Sequence, residues 1–252
     1  MRLPSVNEIK LIVLDIDGVV SDGEAQPLDL DLFAQLGELN LAGRSDPKRP
    51  SVTFCTGRPA PYLEAMLQAI DGHLPGVFEN GAGIYRPKGY QFMTLPNMQE
   101  LLNGFAEVCS RIEETLVRNK IAYLQPGKHY SLTLFAHDPA KTSELENLTA
   151  EVLGPLSERA DLVYSTSCLN VLPRGVDKGK GLAYLSEQVE IPLENMLGVG
   201  DSNVDLPFLR LVGHSAAPAN ANLRIKELVE YVSGEETGQG VRDILSHFRM
   251  IQ

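Results

Sequence analysis

Two aspartates separated by one residue follow an unbroken apolar run near the start of the chain. Asp15 and Asp17 come after Leu11–Leu14, and Gly18 follows them directly. The run predicts a buried parallel strand, because both of its faces are apolar. Open α/β sheets bind ligands at the carboxyl ends of such strands. Two like charges this close need a cation or a shared proton, so the pair predicts metal binding or acid–base chemistry. A solvated turn is the alternative.

Three later segments place further reactive side chains at strand ends or at a helix start. They are Thr56-Gly57-Arg58, Lys178 at the start of an amphipathic stretch, and Asp201 with Asp205 four residues on. Each type has an ordinary structural role when taken alone: a turn hydroxyl, a surface lysine or a helix cap. Because the carboxyl ends of parallel strands share one edge of a sheet, the set as a whole predicts a single polar site.

The hydrophobic pattern predicts the elements that position this site. Strands are expected at about Leu11–Asp15, Val52–Cys55, Val77–Phe78 and Met196–Val199, with Ser215–Ala217 as an edge strand. Helices are expected over Leu28–Leu41, through Leu63–Ile70, and over Leu223–Tyr231 and Val241–Phe248. This alternation favours a parallel sheet with right-handed crossovers.

The pattern changes between residues 85 and 174. A hairpin is expected over Tyr85–Phe92, one long helix over Met98–Lys120, a second helix over Thr142–Leu153, and strands over Tyr130–Phe135, Leu162–Tyr164 and Cys168–Leu172. The two helices can cover one face of such a sheet and leave the other face open. The predicted class is therefore α/β, with a Rossmann-like parallel-sheet core and an inserted unit of one sheet and two helices.

The order of the motifs resembles that of the haloacid dehalogenase superfamily of aspartate-nucleophile phosphohydrolases. The likeness rests on D-x-D-G at 15–18, T-G-R at 56–58, K-G at 178–179 and G-D-x-x-x-D at 200–205, and it extends to residues 79–82, 172–179 and 238–241. These additions are similar to the branch with a large α/β cap. That branch includes sucrose-phosphate, mannosyl-phosphoglycerate and archaeal-type phosphoglycolate phosphatases and the Cof-like sugar phosphatases. The resemblance implies a core of residues 1–84 and 175–252 and an inserted cap, residues 85–174, that sets substrate specificity.

The resemblance also implies a role for each core residue. Asp15 matches the nucleophile that forms an aspartyl phosphate, and Asp17 matches the general acid–base. A Mg²⁺ ion would be held by the Asp15 carboxylate, the Asp17 carbonyl and the Asp201 carboxylate, which are the oxygen ligands that this ion prefers. Thr56 would donate to a phosphoryl oxygen, and Lys178 would pair with both Asp15 and the phosphoryl group.

Substrate contacts are expected from both parts of the chain. The candidates are Gly57, Arg58 and Asn80 in the core and Asn170 and Arg174 in the cap, with Ser165–Ser167 and His129 as further cap candidates. Ordinary roles stay open for several of them. Arg58 can bridge core and cap, Asn170 can satisfy backbone groups inside a strand, and His129 can be a turn residue.

The sequence departs from the family pattern at two places. Asp205 keeps its family position beside the metal site, but Val204 stands where many relatives have asparagine, and Asn203 lies one residue earlier. The hydrogen bonds behind the metal ligands are therefore expected to differ. The second departure is Ala42–Pro50, a charged segment expected to be a solvated linker.

Composition limits the possible partners. The chain has 252 residues, 43% of them hydrophobic, 22% charged, and a net charge of −11. Nucleic acids and anionic membranes both need a basic face, so neither is expected as a partner. Cys55, Cys109 and Cys168 have no metal-ligand spacing and predict reduced thiols in a cytoplasmic protein. Met1–Lys10 lacks the apolar region of a signal peptide, and no apolar stretch approaches membrane-spanning length.

The leading hypothesis is a Mg²⁺-dependent phosphatase acting on a small phosphorylated sugar or acid. A phosphomutase uses the same aspartate pair but usually has a different, helical cap, and a dehalogenase has no use for Asp17. The alternative from another class is a non-catalytic protein that keeps the fold to bind a ligand or partner. The sequence leaves the substrate and the oligomeric state open.

Overall fold

The computed structural model describes residues 9–165 and 167–251. The expectation about Met1–Lys10 falls mostly outside these residues, and so does Thr166 among the cap candidates. None of the helices in the described part of the chain has the length and apolarity needed to cross a lipid bilayer.

The described residues form twelve strands and nine α-helices. The strands are β1 (Leu11–Leu14), β2 (Ser51–Phe54), β3 (Gly76–Phe78), β4 (Gly83–Arg86), β5 (Gln91–Thr94), β6 (Ala122–Leu124), β7 (Leu132–Ala136), β8 (Ala160–Tyr164), β9 (Leu169–Pro173), β10 (Met196–Val199), β11 (His214–Ala217) and β12 (Tyr231–Val232). The helices are α1 (Leu30–Ser45), α2 (Ala60–Ala69), α3 (Met98–Leu101), α4 (Phe105–Ile112), α5 (Leu145–Leu153), α6 (Lys178–Val189), α7 (Leu206–Leu209), α8 (Leu223–Leu228) and α9 (Thr237–His247).

Five parallel strands form the central sheet in the order β12-β11-β10-β1-β2. Strand β1 lies in the middle, with Leu14 opposite Val199 of β10 on one side and opposite Phe54 of β2 on the other. The three strands that precede the predicted polar residues therefore end at the same level. Their carboxyl ends bring these residues to one edge of the sheet.

Helices cover both faces of the central sheet. Successive side chains of a strand point to opposite faces, so both sets of β1 side chains are buried. Ile12 and Leu14 pack against α1, α2 and α9, whereas Leu11 and Val13 pack against α6, α7 and α8. All four side chains are fully buried. Burial on both faces explains the continuous apolar runs in these strands and the absence of polar alternation.

Strand β3 is not part of the parallel sheet in which the sequence predicts it. It pairs antiparallel with β4, and β5 completes a three-stranded sheet in the order β3-β4-β5. One isolated parallel bridge, from Cys55 to Val77, joins β3 to the end of β2. The predicted hairpin is present as β4 and β5, and it lies beside β3. The proposed core–cap boundary at residues 84 and 85 falls inside β4 and stays a prediction.

A four-stranded antiparallel sheet in the order β6-β7-β9-β8 forms the main part of the cap. Helices α4 and α5 cover one face through a core that includes Phe105, Val108 and Leu145. The predicted α/β class, with a parallel-sheet core and an inserted sheet covered by helices, is confirmed. Strand β6 was not expected from the sequence, because it has only three residues.

The expected single helix over Met98–Lys120 is wrong. Helix α3 ends at Leu101, Gly104 has a φ of 77°, and α4 then runs to Ile112 before a π-helical turn over Glu113–Val117. Met98 packs with Ala82, Leu95 and Val176, whereas Phe105 and Val108 pack in the core of the cap. Both pieces are apolar on one side, so the helical spacing continues across the break and does not reveal it.

Two smaller expectations are also corrected. Strand β11 is not at the edge of the sheet, because Tyr231–Val232 pairs parallel with it, with Ala216 opposite Tyr231. Helix α8 consequently stops at Leu228. The segment Ala42–Pro50 is not entirely a linker, because α1 continues to Ser45.

Candidate active site

The nucleophile candidate lies at the carboxyl end of the central strand. The Asp15 backbone N–H donates to the Val199 carbonyl at 2.9 Å, which extends the pairing of β1 with β10 by one residue. Asp15 is 5% exposed and Asp201, two residues beyond β10, is 7% exposed. Together with Asp205, they offer oxygens that lie within 4.8 Å of one another. The sheet register thus builds a cluster of three buried carboxylates.

Lys178 lies between two of these carboxylates. Its Nζ is 2.8 Å from Asp15 Oδ1 and 2.6 Å from Asp205 Oδ1, and the side chain is 1% exposed. Lys178 is the first residue of α6, whose start is fixed by Asp177 accepting from the Lys180 N–H at 2.9 Å. The helix start therefore positions the lysine, and the two carboxylates hold its ammonium group.

Asp205 orients the loop that carries Asp201. Its Oδ2 accepts from the backbone N–H of Asp201 at 3.1 Å and from that of Ser202 at 3.0 Å. Its other oxygen is bound to Lys178. Asp205 thus positions both the metal-ligand candidate Asp201 and the lysine, with both of its oxygens occupied.

The carboxylate cluster carries more negative charge than Lys178 offsets. Burial, followed by the charge of Asp205, raises the pKa of Asp15 to about 7 against the opposing effect of Lys178. Burial and the charges of Asp205 and Asp15 raise the pKa of Asp201 to about 9. Burial alone would lower the pKa of Lys178, but the charges of Asp15 and Asp205 outweigh this effect and raise it. Three carboxylates and one ammonium favour an added cation at this position.

Two glycines allow the close approaches that the cluster needs. A Cβ at Gly18, whose φ is +83°, would lie 2.4 Å from Asp201 Oδ2. A Cβ at Gly81, whose φ is +103°, would lie 1.9 Å from the carbonyl oxygen of Asp177 at the start of α6. Side chains at these positions would push Asp201 or the Lys178 helix away, and both backbone angles also favour glycine.

Arg58 binds the general acid–base candidate through both of its oxygens. Arg58 Nε is 2.7 Å from Asp17 Oδ2 and Nη2 is 2.6 Å from Oδ1. The guanidinium carbon lies 4.8 Å from the ring centre of Tyr62, and the Arg58 backbone N–H donates to Thr56 Oγ1 at 3.1 Å. The Thr56-Gly57-Arg58 loop therefore positions Asp17 as well as the Thr56 hydroxyl.

Side chains of the cap continue the polar site. Asn170 of β9 accepts through Oδ1 from Asn80 Nδ2 at 3.2 Å and from Thr133 Oγ1 at 2.8 Å. The ammonium group of Lys128 donates to Thr133 Oγ1. The Asn80 backbone N–H donates to the Thr56 carbonyl at 3.0 Å, and Asn80 packs against Gly57, where a Cβ would lie 2.9 Å from Asn80 Oδ1. A chain of hydrogen bonds thus leads from the Thr56-Gly57-Arg58 loop to Lys128.

Core and cap enclose one cavity of about 450 Å³. The core contributes six carboxylates and two cations to its wall: Asp15, Asp17, Asp22, Glu24, Asp201, Glu236, Arg58 and Lys178. The cap contributes Gln125, Lys128, Thr133, Ser165, Ser167, Cys168 and Asn170. Ser167 also bonds to both oxygens of Glu24 at 3.1 Å, which joins core and cap at the mouth. The open face of the cap sheet therefore covers Asp15.

Comparison with known proteins assigns the family. A sequence model described as haloacid dehalogenase-like hydrolase matches residues 113–245, which is more than half of the chain. An HMP-PP phosphatase of Yersinia pseudotuberculosis serotype O:1b is 32% identical over 270 residues, covering 95% of each chain. The chain belongs to the haloacid dehalogenase-like hydrolases.

Another relative of this hydrolase is also named a phosphatase, and a solved structure has a similar fold. A phosphoglycolate phosphatase of Thermoplasma volcanium is 25% identical over 248 residues, covering 96% of this chain and all of the relative. A solved structure from Thermoplasma acidophilum has a TM-score of 0.71 at 21% identity, covering 96% of this chain and 99% of that one. The prediction of an enzyme, a phosphatase of this superfamily, is confirmed, and the non-catalytic alternative is not supported.

Most of the residues expected at the site of this hydrolase come together. Asp15, Asp17, Lys178 and Asp201 share the cavity wall with Gly57, Arg58, Asn80 and Asn170. Thr56 lies directly behind Gly57, is fully buried, and is not on the wall itself. Val204 lines the cavity, and Asn203 accepts from Asn222 Nδ2 at 3.4 Å instead. A supporting role for Asn203 behind the metal ligands stays a prediction.

Arg174 requires a correction. Its Nη2 donates to the carbonyls of Ser157 and Ala160 at 2.9 and 3.0 Å, and its Nη1 lies 3.2 Å from Asp161 Oδ1. It is not part of the cavity wall. These bonds hold the Arg174 side chain at the start of β8, so the expected substrate contact is replaced by a structural one.

Two functional candidates were missed by the sequence analysis. Lys128 lies beside His129 in a turn and gives no sequence signal beyond its charge. Glu79 belongs to a motif carried by the family resemblance, but its partners are distant in sequence. Its carboxylate accepts from the N–H groups of His129 at 3.0 Å, Tyr130 at 2.8 Å and Ser131 at 3.0 Å. Glu79 thus fixes the loop that carries Lys128, and His129 itself is a loop residue.

Proposed function

We propose that this protein is a Mg²⁺-dependent phosphomonoesterase that acts through an aspartyl phosphate on Asp15. The observation that carries the proposal is the position of Lys178. One ammonium group contacts both Asp15 and Asp205 at the end of the central strand, in the same cavity as Asp17, and the other side of that cavity is polar and open to a substrate. Such a site offers a nucleophile, a proton carrier and charge stabilisation within one enclosure.

The residues present fit a divalent metal ion. The Asp15 and Asp201 carboxylates and the Asp17 carbonyl would hold it, while Asp205 is engaged elsewhere. Asp15 and Asp201 are buried without full charge compensation, and among the described residues the carboxylate cluster includes neither a sulfur nor an imidazole ligand. Hard oxygen ligands of this kind suit Mg²⁺. When bound, Mg²⁺ supplies positive charge that offsets the phosphoryl oxygens and the carboxylates.

In the first step, an Asp15 carboxylate oxygen attacks phosphorus and the bond from phosphorus to the leaving oxygen breaks. Protonated Asp17 gives its proton to that oxygen, so that the alcohol departs neutral. Lys178, on the cavity wall beside Asp15, stabilises the charge on the phosphoryl oxygens. The product of this step is a phosphoryl group covalently bound to Asp15.

In the second step, water attacks phosphorus and Asp17, now ionised, takes the proton. The bond between phosphorus and the Asp15 oxygen breaks, which releases inorganic phosphate and restores the carboxylate. Arg58 keeps Asp17 oriented for both transfers through its two hydrogen bonds. The alternative of a phosphomutase would need the phosphoryl group to return to a second substrate hydroxyl in place of water.

The substrate class follows from the cavity and from the relatives. A volume of about 450 Å³ suits a small phosphorylated metabolite. The relative named phosphoglycolate phosphatase supports a phosphoglycolate-type acid, and the one named HMP-PP phosphatase supports a small phosphorylated metabolite more broadly. A sugar phosphate or a phosphoglycerate-type acid stays within the proposal. We include in the proposal that residues 85–174 form the cap that selects this substrate. The three unpaired thiols support a cytoplasmic location.

A trapping experiment tests this function. The enzyme is mixed with an aryl phosphate and Mg²⁺, quenched and reduced with borohydride, which converts an aspartyl phosphate into homoserine. Mass spectrometry is expected to find homoserine at position 15. Asp15→Asn is expected to lose on the order of a thousandfold or more in turnover while keeping the fold, as circular dichroism would show, because the change is nearly isosteric. Asp22→Asn, also at the cavity wall but outside the carboxylate cluster, is the matched control for the trapped residue. Rapid turnover by Asp15→Asn would refute the mechanism.

A further inference from the structure

Three cationic side chains line the cavity, and two of them have carboxylate partners. Lys178 is bound to Asp15 and Asp205, and Arg58 is bound to Asp17. Lys128 is the third. Within residues 9–165 and 167–251, its Nζ has no carboxylate within ion-pair distance, and its hydrogen bond goes to the neutral hydroxyl of Thr133.

The position of Lys128 is built into the fold and is not that of a free surface side chain. The three residues that follow it are bound through their backbone N–H groups to the buried carboxylate of Glu79, which is 1% exposed. Thr133, its acceptor, is 3% exposed and donates in turn to Asn170. The core therefore fixes the loop from one side and the cap sheet fixes the ammonium group from the other.

A lysine held in a partly buried polar wall without an anion is energetically unfavourable. Burial lowers the pKa of Lys128 to about 8, while the charge of Glu79 partly opposes this effect. The oxygens of Glu79 already accept four hydrogen bonds, from three N–H groups and the Ser131 hydroxyl. An anion supplied by a ligand would compensate the ammonium charge.

We infer that Lys128, with Thr133 beside it, forms a subsite for a second anionic group on the substrate. This inference rests on the proposed function and narrows it: the substrate is a small phosphate monoester that carries a carboxylate or a second phosphate. Its transferred phosphoryl group lies at Asp15 and Lys178, and its second anion accepts from Lys128 across the cavity. Sugar phosphates without a second anionic group leave the Lys128 charge uncompensated and are poorer substrates.

The test compares three phosphate esters that share a two-carbon backbone: 2-phosphoglycolate, ethane-1,2-diol bisphosphate and 2-hydroxyethyl phosphate, whose second carbon carries an uncharged hydroxyl. We expect kcat/KM for at least one ester with a second anionic group to exceed that for 2-hydroxyethyl phosphate by about tenfold to a hundredfold, as for a charge-assisted hydrogen bond. Whichever of the first two ranks higher identifies carboxylate or phosphate as the group recognised. Equal rates on all three esters, or a preference for 2-hydroxyethyl phosphate, would overturn the inference.

Variants at position 128 locate the subsite. Lys128→Met is expected to remove most of this preference, and Lys128→Arg to restore part of it. Lys141→Met, an exposed cap lysine outside the cavity wall, is the matched control and is expected to keep the preference. An equal loss on all three esters in Lys128→Met would mean that Lys128 binds the transferred phosphoryl group, and would also overturn the inference.

A binding measurement separates this inference from the proposed function. Calorimetry is carried out on Asp15→Asn, which binds its ligand without turnover. Adding Lys128→Met is expected to weaken the binding of 2-phosphoglycolate about tenfold or more and that of 2-hydroxyethyl phosphate much less. If the unmodified enzyme hydrolyses no ester, the proposed function fails, yet the binding result still decides whether Lys128 recognises an anion. If esters are hydrolysed but binding is insensitive to Lys128, the inference alone fails.

Discussion

The guanidinium of Arg58 holds Asp17 by two parallel hydrogen bonds of 2.6 and 2.7 Å. The two residues are 41 positions apart and belong to different motifs, at the ends of β1 and β2. The bond from Asp17 raises the pKa of Arg58, so the guanidinium stays charged at every relevant pH. The side chain proposed to carry the proton is therefore held in a fixed orientation before substrate arrives.

Replacing Arg58 with lysine should slow turnover although the charge is kept. Lysine cannot form the planar pair of bonds, so Asp17 loses its fixed orientation. We expect kcat on an aryl phosphate to fall by about tenfold to a hundredfold, the equivalent of one lost charge-assisted bond. Arg44→Lys is the control, because Arg44 pairs with Asp71 on the surface. A kcat for Arg58→Lys equal to that of the unmodified enzyme would show that the pair does not position Asp17.

Magnesium should stabilise the fold more strongly at higher pH. The pKa values of Asp15 and Asp201 are raised to about 7 and about 9, so the folded state favours their protonated forms. Their contribution to stability is complete below the unfolded pKa near 4 and is lost as pH rises through 7 and 9. A bound cation offsets this loss by binding the ionised carboxylates.

Thermal unfolding in excess chelator and in Mg²⁺, at about pH 5 and about pH 8, measures this effect. We expect a larger Mg²⁺-induced rise in Tm at the higher pH. Asp201→Asn should show a smaller rise and, in chelator, a weaker loss of stability with pH. Activity should also be lost in chelator and return with Mg²⁺ but poorly with Ca²⁺, which is larger and accepts more ligands. An equal Mg²⁺ effect at both pH values would contradict the assignment of Asp201 as a ligand.

Glu79→Gln should loosen the connection between core and cap. The amide replaces one acceptor oxygen by a donor facing backbone N–H groups, which leaves buried donors unsatisfied. We expect the free energy of unfolding to fall by about 2 to 4 kcal/mol. Denaturant unfolding measures this, with Glu107→Gln as the control, since its exposed pair with Arg159 contributes less than about 1 kcal/mol. Because the loop of Lys128 is fixed by Glu79, KM for 2-phosphoglycolate should rise as well. A loss of unfolding free energy no larger than that of the control would show that the hydrogen bonds of Glu79 contribute little to stability.

The preference for esters with a second anionic group should weaken at high pH. Lys128 is charged below its pKa of about 8, and the attraction to a second anion is lost as the ammonium deprotonates above that value. Because kcat/KM reports the free enzyme, the preference should decline around this pKa. The ratio of kcat/KM for 2-phosphoglycolate to that for 2-hydroxyethyl phosphate, followed from about pH 6 to about pH 10, measures it. A ratio that stays constant across this range would exclude the Lys128 ammonium as the cause of the preference.

The sequence by itself determined the catalytic edge of the central sheet. Asp15 and Asp201 follow apolar runs that have to be buried strands, and Lys178 begins a helix capped by its neighbour, so these positions depend on short-range pattern. The register between β1 and β10 then brings them together. The order of the motifs indicated the family, and the roles proposed for these residues follow from that family.

Tertiary structure alone decided which distant side chains meet. The bonds from Arg58 to Asp17, from Glu79 to the loop of residues 129–131, and from Lys128 to Thr133 have no signature in spacing, and neither does the outward position of Arg174. Apolar spacing likewise does not reveal the break at Gly104 or the extra strand outside β11. Hydrophobic periodicity reports which residues are buried, but the partner of a polar side chain is chosen by packing between elements far apart in the chain.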